Sequence, residues 1–182
     1  MNEEQFWSLI ESCVKRDHSV NSSRVVEHYN AISAACGHLS QPDLKEFHSI
    51  FYRLREQART SPLIEAAFIF SHGQMDDETV DVFLTGVIMH GREFYLGCLE
   101  SPESTLLSME CPQELQMYAG INIAFQQLDQ DMGWNYVISV ASPTENLALM
   151  KTGIREQKSI EEIVRQEMPS LFMKCWQQDR NI

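Results

Sequence analysis

Residues 63–70, with the sequence LIEAAFIF, are apolar on almost every side of any helix that they could form. Thr60, Ser61 and Pro62 come directly before them, and a hydroxyl side chain followed by proline is typical of the start of a helix. A short helix without a polar face has to be surrounded by other parts of the chain, because water would otherwise meet apolar side chains. The segment therefore predicts the buried centre of a helical domain.

Three helices are predicted before this segment. The second of them has Asn21 or Ser22 as its predicted cap residue and ends at Gly37. The third begins at Ser40, with Pro42 in its first turn. Its second half carries three arginines, where cations oppose the negative end of the helix dipole. The apolar residues of the first helix are Phe6, Leu9, Ile10, Cys13 and Val14, those of the third are Leu44, Phe47, Phe51 and Leu54, and the arginines are Arg53, Arg55 and Arg59.

Further helices are predicted after the central segment. One opens with carboxylates at residues 76–78, a long one runs from Pro112 to Gly133, and a last one is broken or kinked at Pro169. Residues 134–142 are rich in aromatic and β-branched side chains, which are typical of a strand. The sequence thus predicts a mainly α, single-domain bundle over residues 1–182, with about seven helices. It allows at most one short strand or hairpin near 134–142.

The charge of the chain limits the partners that it can bind. The sequence has 26 acidic and 14 basic residues, a formal net charge of −12. Nucleic-acid binding is not expected, because contact with phosphates needs a basic surface. An acidic surplus serves plain solubility, or it attracts a basic partner by electrostatic steering. Both readings stay open at this stage.

The ends, the hydropathy and the cysteines indicate a cytoplasmic protein. The first residues, MNEEQFW, do not resemble a secretory signal peptide, and no apolar run is long enough for a transmembrane helix. No membrane association is therefore expected. The five cysteines are far apart and form no CxxC pair, which favours free thiols in a reducing compartment.

Residues 73–102 resemble the signature segment of DUF4240, a family of proteins of unknown function. The signature positions are Gly73, Asp76, Asp77, Phe83, Ile88, Gly91, Arg92 and Tyr95. Other motifs of the family are similar to Phe6-Trp7-Ser8-Leu9-Ile10, to Phe47, Phe51 and Leu54, to Glu114, Tyr118 and Ala119, and to Pro169, Leu171 and Trp176. The resemblance extends over nearly the whole chain and implies a helical fold. It implies no activity, and the chain departs from the pattern at Thr79-Val80 and Gly86-Val87.

The signature contains the residues that are best placed to carry chemistry. Paired carboxylates such as Asp76 and Asp77 bind metals or act as acid and base, and they also stabilise the start of a helix. In the second role, one of them is expected to pair with Arg92 and join two helices. An enzyme site would combine this pair with Arg92, Tyr95 and His90.

Motifs for metal, cofactor or nucleophilic chemistry are not found in the sequence. The six histidines are spread out without an HExxH pattern, and His72 and His90 each precede a glycine at an expected helix end. A nucleophile elbow, a phosphate loop and a dinucleotide fingerprint are all missing. The cysteines and tryptophans are expected to fill the core. We therefore expect no catalytic residue, no metal and no cofactor.

Two functions remain open after these exclusions. The first is a non-enzymatic interaction protein, such as an immunity or antitoxin-type protein or a regulator, that binds a basic partner. The second is an enzyme of unknown reaction with a site at the signature. The predicted binding residues are Asp76, Asp77, Glu78, Asp81, Arg92 and Tyr95, and further acidic candidates are Glu65, Asp129 and Asp131.

Overall fold

The structure, a computed structural model, describes residues 1–13, 22–73, 76–109, 115, 118 and 160–176. Within them the chain forms nine α-helices and no β-strand, so the prediction of a mainly α fold is confirmed. The predicted helix from Pro112 to Gly133 and the strand candidate at 134–142 lie outside the described residues, apart from Leu115 and Tyr118. The helices are α1 (Glu3–Cys13), α2 (Ser22–Gly37), α3 (Gln41–Ala58), α4 (Ser61–Phe70), α5 (Asp77–Met89), α6 (Arg92–Glu100), α7 (Pro102–Leu107), α8 (Ile160–Glu167) and α9 (Pro169–Cys175).

Helix α4 is the buried centre that its composition predicts. It packs against α5, α7, α8 and α9. Thr60 precedes its first turn with extended backbone angles, and Pro62 occupies that turn. The side chains of α4 that are buried are Leu63, Ile64, Ala66, Ala67, Phe68, Ile69 and Phe70.

Helices α1 and α3 bury the apolar faces that the spacing of their apolar residues predicts. In α1 the predicted residues Phe6, Ile10 and Cys13 are buried together with Trp7. The ring of Phe6 lies 4.9 Å from that of Phe47 in α3, measured between centroids. At the start of α3, the Ser40 hydroxyl accepts the backbone N–H of Asp43 at 3.3 Å, which confirms the predicted cap.

Helices α8 and α9 are separated at Met168 and Pro169 begins α9, so the predicted break at this proline is confirmed. Their apolar side chains belong to the same hydrophobic core cluster as those of α1 to α7. Trp176 stacks on Phe68 with 5.4 Å between ring centroids. Gly73 has a backbone φ of +89°, and a Cβ atom there would lie 3.1 Å from the Trp176 ring. A side chain at residue 73 would therefore disturb both the backbone and this contact.

Helix α7 was not predicted from the sequence. It is joined to α9 by side chains of each helix that bind the backbone at one end of the other. The carboxylate of Glu103 in α7 accepts the backbone N–H groups of Ser170 at 2.8 Å and Leu171 at 3.1 Å, at the start of α9. In return, Lys174 in the last turn of α9 donates to the carbonyls of Leu107 at 2.9 Å and Met109 at 2.8 Å, at the end of α7. Each short helix thus satisfies terminal backbone groups of the other.

None of the helices in the described part of the chain is both long and apolar enough to cross a membrane.

Candidate functional site

The first turn of α5 presents three carboxylates to solvent. Asp76 precedes the helix as its N-cap and accepts the backbone N–H of Thr79 at 2.7 Å, which confirms its predicted role at the helix start. Hydrogen bonds from the side chain and then the backbone of Thr79 hold the pKa of Asp76 below its usual range. Asp77 and Glu78 follow in the first turn, and all three residues are exposed. We call Asp76, Asp77 and Glu78 the acidic start of α5.

Asp81 lies one turn further along α5 and has a different environment. Its side chain is 16% exposed, and those of Arg55 in α3 and of Arg59, which directly follows α3, are only 3% and 7% exposed. Arg55 Nη2 lies 3.3 Å from Asp81 Oδ2, and Arg59 Nη2 donates a hydrogen bond to Asp81 Oδ1. Burial raises the pKa of the Asp81 carboxyl, and the charges of the two arginines oppose that shift. Asp81 therefore joins α5 to α3 and does not belong to the exposed acidic surface.

The burial of these two arginines was missed in the sequence, although a signal for it exists. Phe47 and Phe51 are buried in α3, and Arg55 and Arg59 continue the same row at four-residue spacing. The guanidinium of Arg55 also lies over the Tyr52 ring, 4.8 Å from its centroid. A cation on an apolar helix face predicts a buried acidic partner, because an unpaired charge is costly to bury.

The remaining signature residues lie at the other end of α5. His90 follows the helix, and its Nδ1 lies 2.8 Å from the carbonyl oxygen of Gly86, as expected for a histidine at a helix end. Arg92 is exposed at the start of α6. Tyr95 is buried, its hydroxyl donates to the Leu54 carbonyl at 2.9 Å, and burial raises its pKa to about 12.

The length of α5 keeps the two groups of signature residues apart. The helix has 13 residues, which corresponds to a length of about 20 Å. The predicted ion pair between Arg92 and Asp76 or Asp77 is therefore wrong. For the same reason, the set proposed for an enzyme site, with Tyr95 and His90, is not brought together.

Glu65 in the central helix is less accessible than its predicted role as a contact residue requires. It is partly buried, and the Ser61 hydroxyl lies 3.5 Å from its Oε1 atom. Burial raises the pKa of Glu65, and the negative charge of Glu167 in α8 raises it further. The other acidic candidates, Asp129 and Asp131, lie outside the described residues.

The cysteines that the structure describes are buried free thiols, as predicted for core residues. Burial raises the pKa of Cys36 and of Cys98 to about 12, so both are protonated at neutral pH and are poor nucleophiles. In the described part of the chain, no three His, Cys, Asp or Glu side chains are grouped as metal ligands. The buried free thiols are Cys13, Cys36, Cys98 and Cys175.

Helix α6 carries an exposed apolar pair that the sequence analysis did not single out. Leu96 is 50% exposed and Leu99 is 37% exposed. Leu96 lies on the side of α6 that faces away from the buried Cys98, whereas Leu99 lies beside the buried Tyr95, four residues earlier.

Comparison with known proteins gives a family but no activity. The model of a family described as "Protein of unknown function (DUF4240)" matches residues 1–137. This match includes α1 to α7 and ends before α8, so the resemblance of Pro169, Leu171 and Trp176 to the family's closing motif lies beyond it. No curated protein and no solved structure matches the chain.

Proposed function

The chain belongs to the DUF4240 family of proteins of unknown function, and we propose that this member is a non-enzymatic interaction protein that binds a basic protein partner. Immunity proteins, antitoxins and regulators of basic proteins are the classes that fit. The observation that carries the proposal is the placement of charge. Among the described residues, most cations have partners within the chain, and carboxylates such as Asp77 and Glu78 are left on the surface.

Most of the arginine and lysine side chains that the structure describes have partners inside the chain. Arg55 and Arg59 are buried against Asp81. Lys174 donates to two backbone carbonyls at the end of α7. The ion pairs on the surface are Arg53 with Glu3 at 2.8 Å and Arg165 with Glu161 at 3.2 Å. In the part of the chain that the structure describes, outward-facing carboxylates therefore outnumber exposed cations.

The acidic start of α5 is the proposed contact for the partner. Asp77 and Glu78 have no ion-pair partner among the described residues, and both are exposed. Their charges are free to attract a basic surface, which raises the association rate and makes it dependent on salt. Asp81 and Tyr95 are left out of this contact because they are buried in internal interactions, and Arg92 is left out because it lies beyond the other end of α5.

The proposal also places the protein in the cytoplasm. The four buried cysteines that the structure describes, Cys13 and Cys36 among them, are free thiols. Free thiols of this kind are typical of a reducing compartment.

The test is capture of a basic partner followed by kinetics with two matched variants. The tagged protein is used to isolate partners from a lysate of the source cells, and the association rate of a captured basic protein is then measured at several salt concentrations. Asp77→Asn/Glu78→Gln removes two charges from the proposed contact and keeps Asp76 as the helix cap. Glu4→Gln/Glu46→Gln removes two exposed charges elsewhere.

We expect Asp77→Asn/Glu78→Gln to lower the association rate several-fold and to reduce its salt dependence. The Glu4→Gln/Glu46→Gln protein should keep nearly the rate of the wild type. Equal losses in the two variants would show that only total charge matters, and the contact at α5 would then be wrong. If no basic protein binds even at low salt, the proposed function itself fails.

A further inference from the structure

Arg59 brings a buried positive charge close to the acidic start of α5. Its Nη2 atom donates a hydrogen bond to Asp81, and its side chain is only 7% exposed. Asp77 lies four residues before Asp81 on α5, and residues at this spacing are neighbours on the surface of a helix. Burial raises the pKa of the Asp81 carboxyl, and the negative charge of Asp77 adds to that shift, against the effect of the arginines. The guanidinium of Arg59 is therefore close to the proposed contact.

The link between α3 and α5 does not by itself account for Arg59. Arg55 already pairs with Asp81 Oδ2 at 3.3 Å, and its guanidinium lies over the Tyr52 ring. Arg59 adds a second cation to the same carboxylate, and its Nη1 atom is buried without a hydrogen-bond partner in the described part of the chain. A buried donor without an acceptor costs free energy. The second arginine is therefore a poor device for stability alone, and its charge points to another role.

The charges around Arg59 compensate one another. Glu56 Oε1 lies 3.5 Å from Arg59 Nε, so the group consists of two arginines and two carboxylates, and its formal charges cancel. Without Arg59 the same group would carry a net negative charge next to the acidic start of α5. A buried charge is screened by salt less than an exposed one, so its influence extends to the surface contact. Arg59 thus makes the potential at that contact less negative.

We infer that Arg59 is an internal counter-charge that limits how tightly the acidic start of α5 binds cations of the basic partner. The inference rests on the proposed function and deepens it, because it names the residue that sets the strength of that contact. Arg59 does not touch the partner and acts only through the electrostatic potential at Asp77 and Glu78. Isolated cations then have little affinity for the contact, and a partner needs several adjacent lysines or arginines to bind there.

The test measures binding at this contact alone. Tetralysine is titrated into the full chain at about 0.1 M salt, and the NMR signals of the Asp77 and Glu78 backbone amides report its occupancy. Two variants are compared with the wild type: Arg59→Gln removes the charge, and Arg59→Lys keeps it. The control Lys45→Gln removes an exposed cation near the start of α3. Lys45 lies about 20 Å from Arg59 along the helix axis.

We expect Arg59→Gln to bind tetralysine about threefold more tightly at this contact, because the loss of a nearby, weakly screened cation makes the potential there more negative. Arg59→Lys should bind like the wild type. Lys45→Gln should also bind like the wild type, because its distance exceeds the Debye length of about 10 Å. The gain in Arg59→Gln should disappear at about 1 M salt, where the Debye length is only about 3 Å.

Four outcomes overturn the inference. Equal gains in Arg59→Gln and Lys45→Gln would show that only net charge matters. A gain in Arg59→Lys as large as in Arg59→Gln would show that the geometry of the arginine matters, and not its charge. An unchanged affinity in Arg59→Gln would leave Arg59 as a link between helices and nothing more. In these three cases the contact and the proposed function survive. If tetralysine leaves the signals of Asp77 and Glu78 unchanged in the wild type, the contact itself is wrong and the inference fails with it.

If Arg59→Gln does not fold, Glu56→Gln tests the same charge through its other neighbour. The loss of Glu56 leaves the charge of Arg59 less compensated, so tetralysine should bind at Asp77 and Glu78 about twofold more weakly. Glu46→Gln removes an exposed carboxylate near the start of α3 and should keep the affinity of the wild type. Equal affinities of Glu56→Gln and Glu46→Gln would contradict a counter-charge at Arg59.

Discussion

Asp77 and Asp81 are the same residue type, one turn apart on the same helix, and yet they have opposite roles. Asp77 is exposed in the first turn of α5. Asp81 is partly buried, with a side chain that is 16% exposed, and it pairs with Arg55 and Arg59. The difference arises because α3 packs along α5 and brings its two arginines to Asp81. The neighbouring helix, and not the acidic residue itself, determines whether a carboxylate is a surface charge or an internal link.

The comparison predicts its largest effect at Asp81. Asp81→Ala leaves two buried guanidinium groups without their common carboxylate, and of the carboxylates that the structure describes Arg59 then retains Glu56, at 3.5 Å from its Nε atom. We expect a loss of about 3–5 kcal/mol in the free energy of unfolding, as for other broken buried ion pairs. Urea unfolding followed by circular dichroism measures this loss.

The matched variant is Asp77→Ala, on the same helix and with the same loss of charge. Because Asp77 is exposed and has no ion-pair partner among the described residues, its change should alter stability by less than about 0.5 kcal/mol. Similar losses in the two variants would mean that Asp81 acts only through helix propensity or net charge. The distinction between surface charge and internal link would then be wrong.

The sequence alone predicts the parts of the fold that depend on local pattern. The apolar composition of α4, the cap at Ser40 and the break at Pro169 each determine a helix or its end without help from distant residues. Asp76 was predictable as a helix cap for the same reason.

The remainder depends on which helix lies against which, and spacing does not contain that information. Arg55 and Arg59 are on the buried face of α3 by their spacing, but only the structure shows that Asp81 faces them. The expected pairing of Arg92 with the acidic start of α5 is wrong because these residues lie at opposite ends of the same helix. Helix α7 was missed although Ser101 and Pro102 give the same start signal as Ser61 and Pro62, because its six residues are too few to show an apolar spacing and its end is capped by Lys174 of α9, more than sixty residues later.

Glu103 extends the comparison of Asp77 with Asp81, because it is a partly buried carboxylate whose described partners are backbone N–H groups and not cations. It accepts hydrogen bonds from Ser170 and Leu171 at the start of α9. Glu103→Ala should lower the free energy of unfolding by about 1.5–3 kcal/mol, the usual contribution of hydrogen bonds to a charged group. Thermal or urea unfolding measures the change.

Glu100→Ala is the control, since Glu100 is exposed and lies three residues earlier. It should leave stability nearly unchanged. Because the loss of Glu103 frees the start of α9, hydrogen exchange at Ser170 and Leu171 should also rise in Glu103→Ala and not in Glu100→Ala. Unchanged exchange at these two amides would contradict a capping role.

Glu65 is the third partly buried carboxylate, after Asp81 and Glu103, and it lies close to another negative charge. Its replacement should have the smallest effect on the free energy of unfolding, and the effect should be a gain instead of a loss. Burial and the charge of Glu167 raise its pKa in the folded protein above the ordinary value. The folded state therefore binds a proton at Glu65 more tightly than the unfolded state does. The contribution to stability is fully present below the unfolded pKa and is lost as the pH rises through the folded pKa.

Glu65→Gln should accordingly be slightly more stable than the wild type at pH 7, because burial and the charge of Glu167 make the charged form of Glu65 less favourable in the folded protein. The advantage should disappear below about pH 4, where Glu65 is neutral in both states. Urea unfolding at both pH values measures the difference, and Glu4→Gln, at an exposed position, provides the control that should show no such gap. An advantage that persists at acidic pH would come from packing and not from charge. A loss of stability at pH 7 would mean that Glu65 has a favourable charge partner. Its carboxylate would then stabilise the fold, as that of Asp81 is expected to do.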